Sequence, residues 1–60
     1  MATTFEEKLA SGIAQMESGE YAQAIEAFKG CTELEPQNAE GYFYLGEAHS
    51  EAGHIDDAVA

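Results

Sequence analysis

The sequence predicts an all-α chain built of antiparallel helix–turn–helix hairpins of an α–α superhelix, with the second hairpin truncated. Three observations carry that expectation. Apolar residues recur at three- and four-residue spacing through most of the 60 residues, and no stretch alternates apolar and polar side chains long enough to make a strand. Gly19, Pro36 and Gly53 fall where the periodic stretches end, as turn residues do. Finally, a shift of 34 residues lays residues 5–26 on residues 39–60 without a gap and with six identities: Glu6 on Glu40, Gly12 on Gly46, Ala14 on Ala48, Glu17 on Glu51, Gly19 on Gly53 and Ala24 on Ala58. Tyr21 falls on Ile55 and Ile25 on Val59, so apolar character persists where identity does not. A period of this length, written as helix, glycine turn, helix, proline turn, is that of a helical-hairpin solenoid.

The elements follow in order. Thr3 or Thr4 can cap a first helix running from about Thr4 to Glu17, with Glu6 and Glu7 in the turn where the positive end of the helix dipole favours carboxylates. Its apolar stripe is Phe5, Leu9, Ile13 and Met16. Ser18 and Gly19 make a turn, glycine being free to take the left-handed conformation that ends helices. A second helix spans about Tyr21 to Glu35, with Tyr21, Ala24, Ile25, Ala27, Phe28, Cys31 and Leu34 at helical spacing and Pro36 as its stop. A third is expected from Ala39 to about Ala52, closed by Gly53, and the text from His54 reads as the opening of a fourth. Ala, Glu and Gln dominate wherever propensity would decide. The 60 residues thus form a single unit, with a first repeat over about 5–38 and a partial second over about 39–60.

The chain resembles the tetratricopeptide repeat family. In the second copy Tyr42, Leu45, Gly46, Ala48, His49, Gly53, Ile55 and Ala58 sit where the family favours an aromatic, Leu, Gly, Ala, Tyr, Gly, Tyr and Ala. In the first copy Gly12, Ala14, Gly19, Tyr21, Ala24, Ile25, Phe28, Leu34 and Pro36 match its small and apolar slots. Small residues at Gly12, Ala24, Gly46 and Ala58 would let antiparallel helices approach closely while larger ones fill the groove between hairpins. The first helix departs from the pattern. Lys8, Ser11 and Gln15 occupy apolar slots, and Leu9, Ile13 and Met16 each come one position late, as a rotated helix or an effectively shorter loop would give. A rotated helix would turn apolar side chains toward the concave surface. Cys31 replaces a usual Ala, and His49 a usual aromatic.

Charge and composition narrow the functional classes. Twelve acidic residues against two lysines give a formal charge of −10, which repels nucleic-acid phosphates and anionic lipid headgroups and leaves basic or apolar partners. The hydrophobic content of 45% is that of a folded chain. The single cysteine, Cys31, cannot close an internal disulfide, and the N-terminus has neither the basic start nor the apolar core of a signal peptide. A soluble chain in a reducing, cytoplasmic setting is expected, with no membrane segment, since no apolar run approaches the roughly 20 residues a span needs.

Chemistry is sparse. His49 and His54, with Glu51, Asp56 and Asp57 nearby, invite a metal site, but two histidines five apart across a glycine do not share a helix face as a zinc pair does. Cys31, with only Lys29 as a basic neighbour in sequence, reads as a small core residue. The glycines form no phosphate loop, and the adjacent pairs Glu6–Glu7 and Asp56–Asp57 do not face each other across a cleft. No enzyme activity, cofactor or metal is expected.

A binding surface is the stronger expectation. The resemblance implies a ligand groove lined by the first helix of each repeat, which here carries Glu6, Leu9, Ile13, Met16 and Glu17 from the first copy and Glu40, Phe43, Glu47, Ser50 and Glu51 from the second. An apolar strip bordered by acids suits a protein or peptide with apolar anchors and flanking lysines or arginines. Leu9, Ile13 and Met16 read equally well as core of the first hairpin. The basic clamp with which some members of the family grip a terminal carboxylate has no counterpart on that face. Solenoid repeats bury their faces on neighbours, and at least three are typically needed for stability. Fewer than two are present, so the chain is either a fragment of a longer array or a homo-oligomer that associates through Tyr42, Tyr44, Leu45, His49, Ile55 and Val59.

Overall fold

The computed structural model describes the backbone of residues 3–59 and the side chains of residues 3–53. Three helices follow one another: α1 (Thr4–Glu17), α2 (Tyr21–Leu34) and α3 (Ala39–Val59). Helix α2 packs against both neighbours, whereas α1 and α3 meet only over a small area.

Local chemistry sets the ends of α1. Thr3 is its N-cap. The Glu6 backbone N–H donates to the Thr3 hydroxyl at 3.1 Å, and the Thr3 N–H donates back to Glu6 Oε1 at 2.9 Å, satisfying two otherwise orphaned donors. At the other end Gly19 takes φ +84°, its N–H bonding Met16 O at 3.1 Å while the Glu20 N–H bonds Gln15 O at 2.8 Å. Those two bonds close the carbonyls of the last turn and reverse the chain into α2. The next turn is capped by Asn38, whose side-chain oxygen accepts from the Glu40 N–H at 2.9 Å and whose amide donates to Glu35 at 3.1 Å.

The core lies along α2. Ala24, Phe28 and Ala48 form its buried centre, with Leu9, Ile13, Met16, Ile25, Tyr44 and Leu45 half-buried around them. Phe28 is fully buried and stacks on Tyr44 of α3 with ring centroids 5.5 Å apart and planes 21° from parallel. Gly12 of α1 approaches the other side of that ring so closely that a Cβ there would sit 2.6 Å from the Phe28 edge. The absence of a side chain at Gly12 therefore sets the α1–α2 spacing. Cys31 is fully buried, and its thiol donates weakly to Phe5 O at 3.8 Å. Burial pushes the Cys31 pKa up, opposed by the nearby Lys8 ammonium, so the thiol stays protonated and serves as packing. Among the described residues no polar or charged residue is buried as a whole, but the side-chain oxygen of half-buried Gln15 is enclosed without a hydrogen-bond partner.

Two sequence expectations are corrected. The third helix does not stop at Ala52: α3 continues through Gly53 to Val59, and no separate fourth helix opens at His54. A continuing helix gains one hydrogen bond per added residue, while interior glycine costs only about 1 kcal/mol. A turn wins where the next segment has a face to bury, as α2 does with Ala24, Phe28 and Cys31. Gly46, expected at a helix contact, is exposed, and a Cβ built there meets nothing within 4 Å. Its expected partner Ala58, and the side chains of His54, Ile55, Asp56, Asp57 and Val59, lie outside the described residues.

Candidate binding groove

Residues from three elements converge where the end of α1 faces the middle of α3. Met16 and Glu17 come from the last turn of α1, Tyr21 from the first residue of α2, and Glu47 and Glu51 from successive turns of α3. Together they line an open pocket of about 200 Å³. Helical spacing explains the α3 pair, because residues four apart share a face. The Gly19 turn explains Tyr21, since reversing the chain within three residues of Glu17 brings the start of α2 beside the end of α1. Glu17 and Glu51 hold equivalent positions in the two copies, so the pocket joins one repeat to the next.

The other residues of the expected concave face are distributed as follows. Leu9 and Ile13 are half-buried against the Ala24–Phe28–Ala48 cluster, as is Met16, which alone of the three also reaches the pocket. Phe43 is 60% exposed one turn before Glu47, its ring edge-on to Tyr44 at 5.2 Å. Glu40 and Ser50 are exposed on α3. Glu6 is exposed and engaged in the α1 cap, where the Thr3 backbone N–H, and after it the Thr3 hydroxyl, hold its carboxyl below the ordinary range.

The residues expected to drive self-association divide. Tyr44 and Leu45 are half-buried in the core of this chain, Tyr42 is 52% exposed and His49 is exposed. Tyr42, Gly46 and His49 follow one another at helical spacing along the outer face of α3.

Sequence reasoning missed two neighbours. Helical spacing marks Tyr21 only as a core position of the second helix, although the Glu-Ser-Gly-Glu-Tyr run places it just past a helix-ending glycine. Lys8 is distant from Cys31 in sequence yet acts on its thiol, and its stem lies over α2 within 3.2 Å of where a Gly30 Cβ would be. Among the described residues no group of three or more His, Cys, Asp or Glu is arranged to hold a metal ion, and no helix is long and apolar enough to cross a membrane.

A family model described as Tetratricopeptide repeat matches residues 15–60. No curated protein and no solved structure gives a significant match to the chain.

Proposed function

The chain belongs to the tetratricopeptide repeat family, whose repeats are in general protein–protein interaction modules, and from that membership we propose that it is a non-catalytic module binding a basic peptide or helix in the groove between α1 and α3. The pocket of Met16, Glu17, Tyr21, Glu47 and Glu51, with Phe43 exposed one helical turn before Glu47, is the observation that carries this reading. Apolar contacts at Met16, Tyr21 and Phe43 supply affinity, and the surrounding carboxylates, in a chain of net charge −10, steer a cationic partner and repel nucleic acid and anionic membranes. A cytoplasmic setting accords with the lone, buried thiol of Cys31.

The test is an NMR titration of the labelled chain with a leucine-containing peptide flanked by lysines, beside the same peptide flanked by glutamates. The lysine peptide is expected to shift resonances of Met16, Phe43 and Glu47 and to weaken at least tenfold between low and high salt. Equal binding of the two peptides, or shifts confined elsewhere, refutes the reading.

The exposed stripe of Tyr42, Gly46 and His49 on α3 supports a second reading, association between copies of the chain. Contacts dominated by apolar area gain nothing from low salt. Light scattering over a concentration series should then reveal a dimer insensitive to salt or strengthened by it, and a monomer at every concentration removes this reading.

A further inference from the structure

We infer that two copies of the chain associate through the outer face of α3 in antiparallel register, with Tyr42 of each copy seated over Gly46 of the other. The inference rests on the self-association reading and adds which residues meet, in which direction the helices run, and that the assembly closes at two. The first repeat supplies the pattern. Gly12 of α1 receives the Phe28 ring of the antiparallel helix α2, so closely that a Cβ there would lie 2.6 Å from it. Gly46 holds the equivalent position on α3, is exposed, and has nothing within 4 Å of a Cβ. One glycine seat is filled by an aromatic ring and its copy is open.

A ring that fits the open seat lies on the same face. Tyr42 stands one turn before Gly46 and is 52% exposed. In an antiparallel pair a ring followed by a seat meets a seat followed by a ring, so one two-fold axis fills both seats at once and leaves none for a third copy. The same register places His49 opposite Ala39 of the other copy, an exposed small residue.

The distribution of charge favours a like chain. A net charge of −10 opposes contact between copies over most of the surface. Between Ala39 and Gly53 the carboxylates are Glu40, Glu47 and Glu51, seven and four residues apart and so on one line of the helix, and the last two border the groove with α1. The outer line of Ala39, Tyr42, Gly46 and His49 carries no carboxylate and no lysine. A second copy meets no like-charged carboxylate there, and a strongly basic or acidic partner finds no opposite charge to pair with. The contact covers about three turns of each helix, which makes the dimer a weak one that forms in concentrated solution.

Sedimentation equilibrium from micromolar to millimolar concentration tests the assignment on the parent chain, Gly46→Glu and Gln23→Glu. Both variants add one negative charge at an exposed position, and unchanged circular dichroism in dilute solution verifies the fold. Gly46→Glu is expected to weaken dimerisation at least tenfold and Gln23→Glu less than twofold. An isotope-filtered NOESY spectrum of mixed labelled and unlabelled copies should show the Tyr42 ring against Gly46 of the other copy. Equal dimerisation of Gly46→Glu and the parent, contacts of Tyr42 to Tyr42 without any to Gly46, or assembly beyond two copies overturns the inference and leaves the self-association reading standing. A parent chain that stays monomeric throughout removes both.

Discussion

Gly19 and Gly53 stand 34 residues apart in nearly the same local text, Glu-Ser-Gly and Glu-Ala-Gly, yet they do opposite things. Gly19 adopts φ +84° and reverses the chain, while Gly53 remains inside α3. Gly12 and Gly46 differ in what packs on them: Phe28 meets the first, and nothing lies within 4 Å of a Cβ at the second. After Gly19 comes a helix with Ala24, Phe28 and Cys31 to bury. At Gly53 the helix continues, and α3 runs on to Val59. A glycine permits a turn, and the burial that follows decides whether the turn forms.

The most severe way to break this contrast is to remove the ring on which the first copy depends. Phe28→Ala deletes a fully buried side chain touching α1 and stacked on α3. A loss of about 3–5 kcal/mol is expected, which for a chain this small abolishes the cooperative thermal transition seen by circular dichroism.

Alanine at the equivalent glycines should have opposite signs. Gly12→Ala places a methyl 2.6 Å from a ring with no room to retreat, costing about 1–3 kcal/mol in urea unfolding. Gly46→Ala adds a methyl to open space on an exposed helix and should stabilise by about 0.5–1 kcal/mol. A loss at Gly46 comparable to that at Gly12 would mean that its face is covered in solution, which would sharpen the self-association reading.

The turn pair is expected to diverge less. Gly19→Ala forces a left-handed backbone on a residue with a Cβ, at a cost of about 1–2 kcal/mol, whereas Gly53→Ala should raise helicity and stability by about 1 kcal/mol.

The smallest effect concerns the cap that only the first copy builds with Thr3 and Glu6. Folding lowers the Glu6 pKa from its ordinary value of 4.5, so the folded state binds this proton less tightly than the unfolded one. Its contribution is present above the unfolded value and is lost as pH falls through the folded value. Glu6→Gln should therefore flatten the acid side of the stability profile below about pH 4.5 and leave its shape near neutrality unchanged. An unchanged acid limb would show that Glu6 contributes no acid-range stability in solution.

Much of this was legible in the sequence because it is local. Spacing and caps place α1 and α2 to within a residue at each end, and the 34-residue repeat announces the hairpin. The Thr3-Thr4-Phe5-Glu6 run is itself a capping-box pattern that reading for caps alone left half used. Gly53 sits in a run that resembles the one at Gly19, Glu-Ala-Gly against Glu-Ser-Gly, and a glycine in such a run permits a turn without requiring one. At the candidate groove the repeat brought Met16, Glu17, Glu47 and Glu51 onto one expected face. Tyr21 escaped because its place beside Glu17 is made by the three-dimensional reversal at Gly19. Half-burial of Leu9 and Ile13 against the core agrees with the reading of that stripe as core of the first hairpin, which the sequence leaves level with the groove reading because a stripe on a helix does not say which neighbour it meets.

The most direct measurement of the central claim, that burial rather than the glycine itself sets the turn, is a nitrogen-15-edited NOESY spectrum of the chain at Gly19 and Gly53. The account predicts an unbroken series of sequential amide–amide contacts from Ala52 through His54 and helical carbon shifts at Gly53, with positive-φ coupling at Gly19. Positive-φ coupling at Gly53, together with contacts from Ile55 or Val59 to Tyr42 or Gly46, would contradict it.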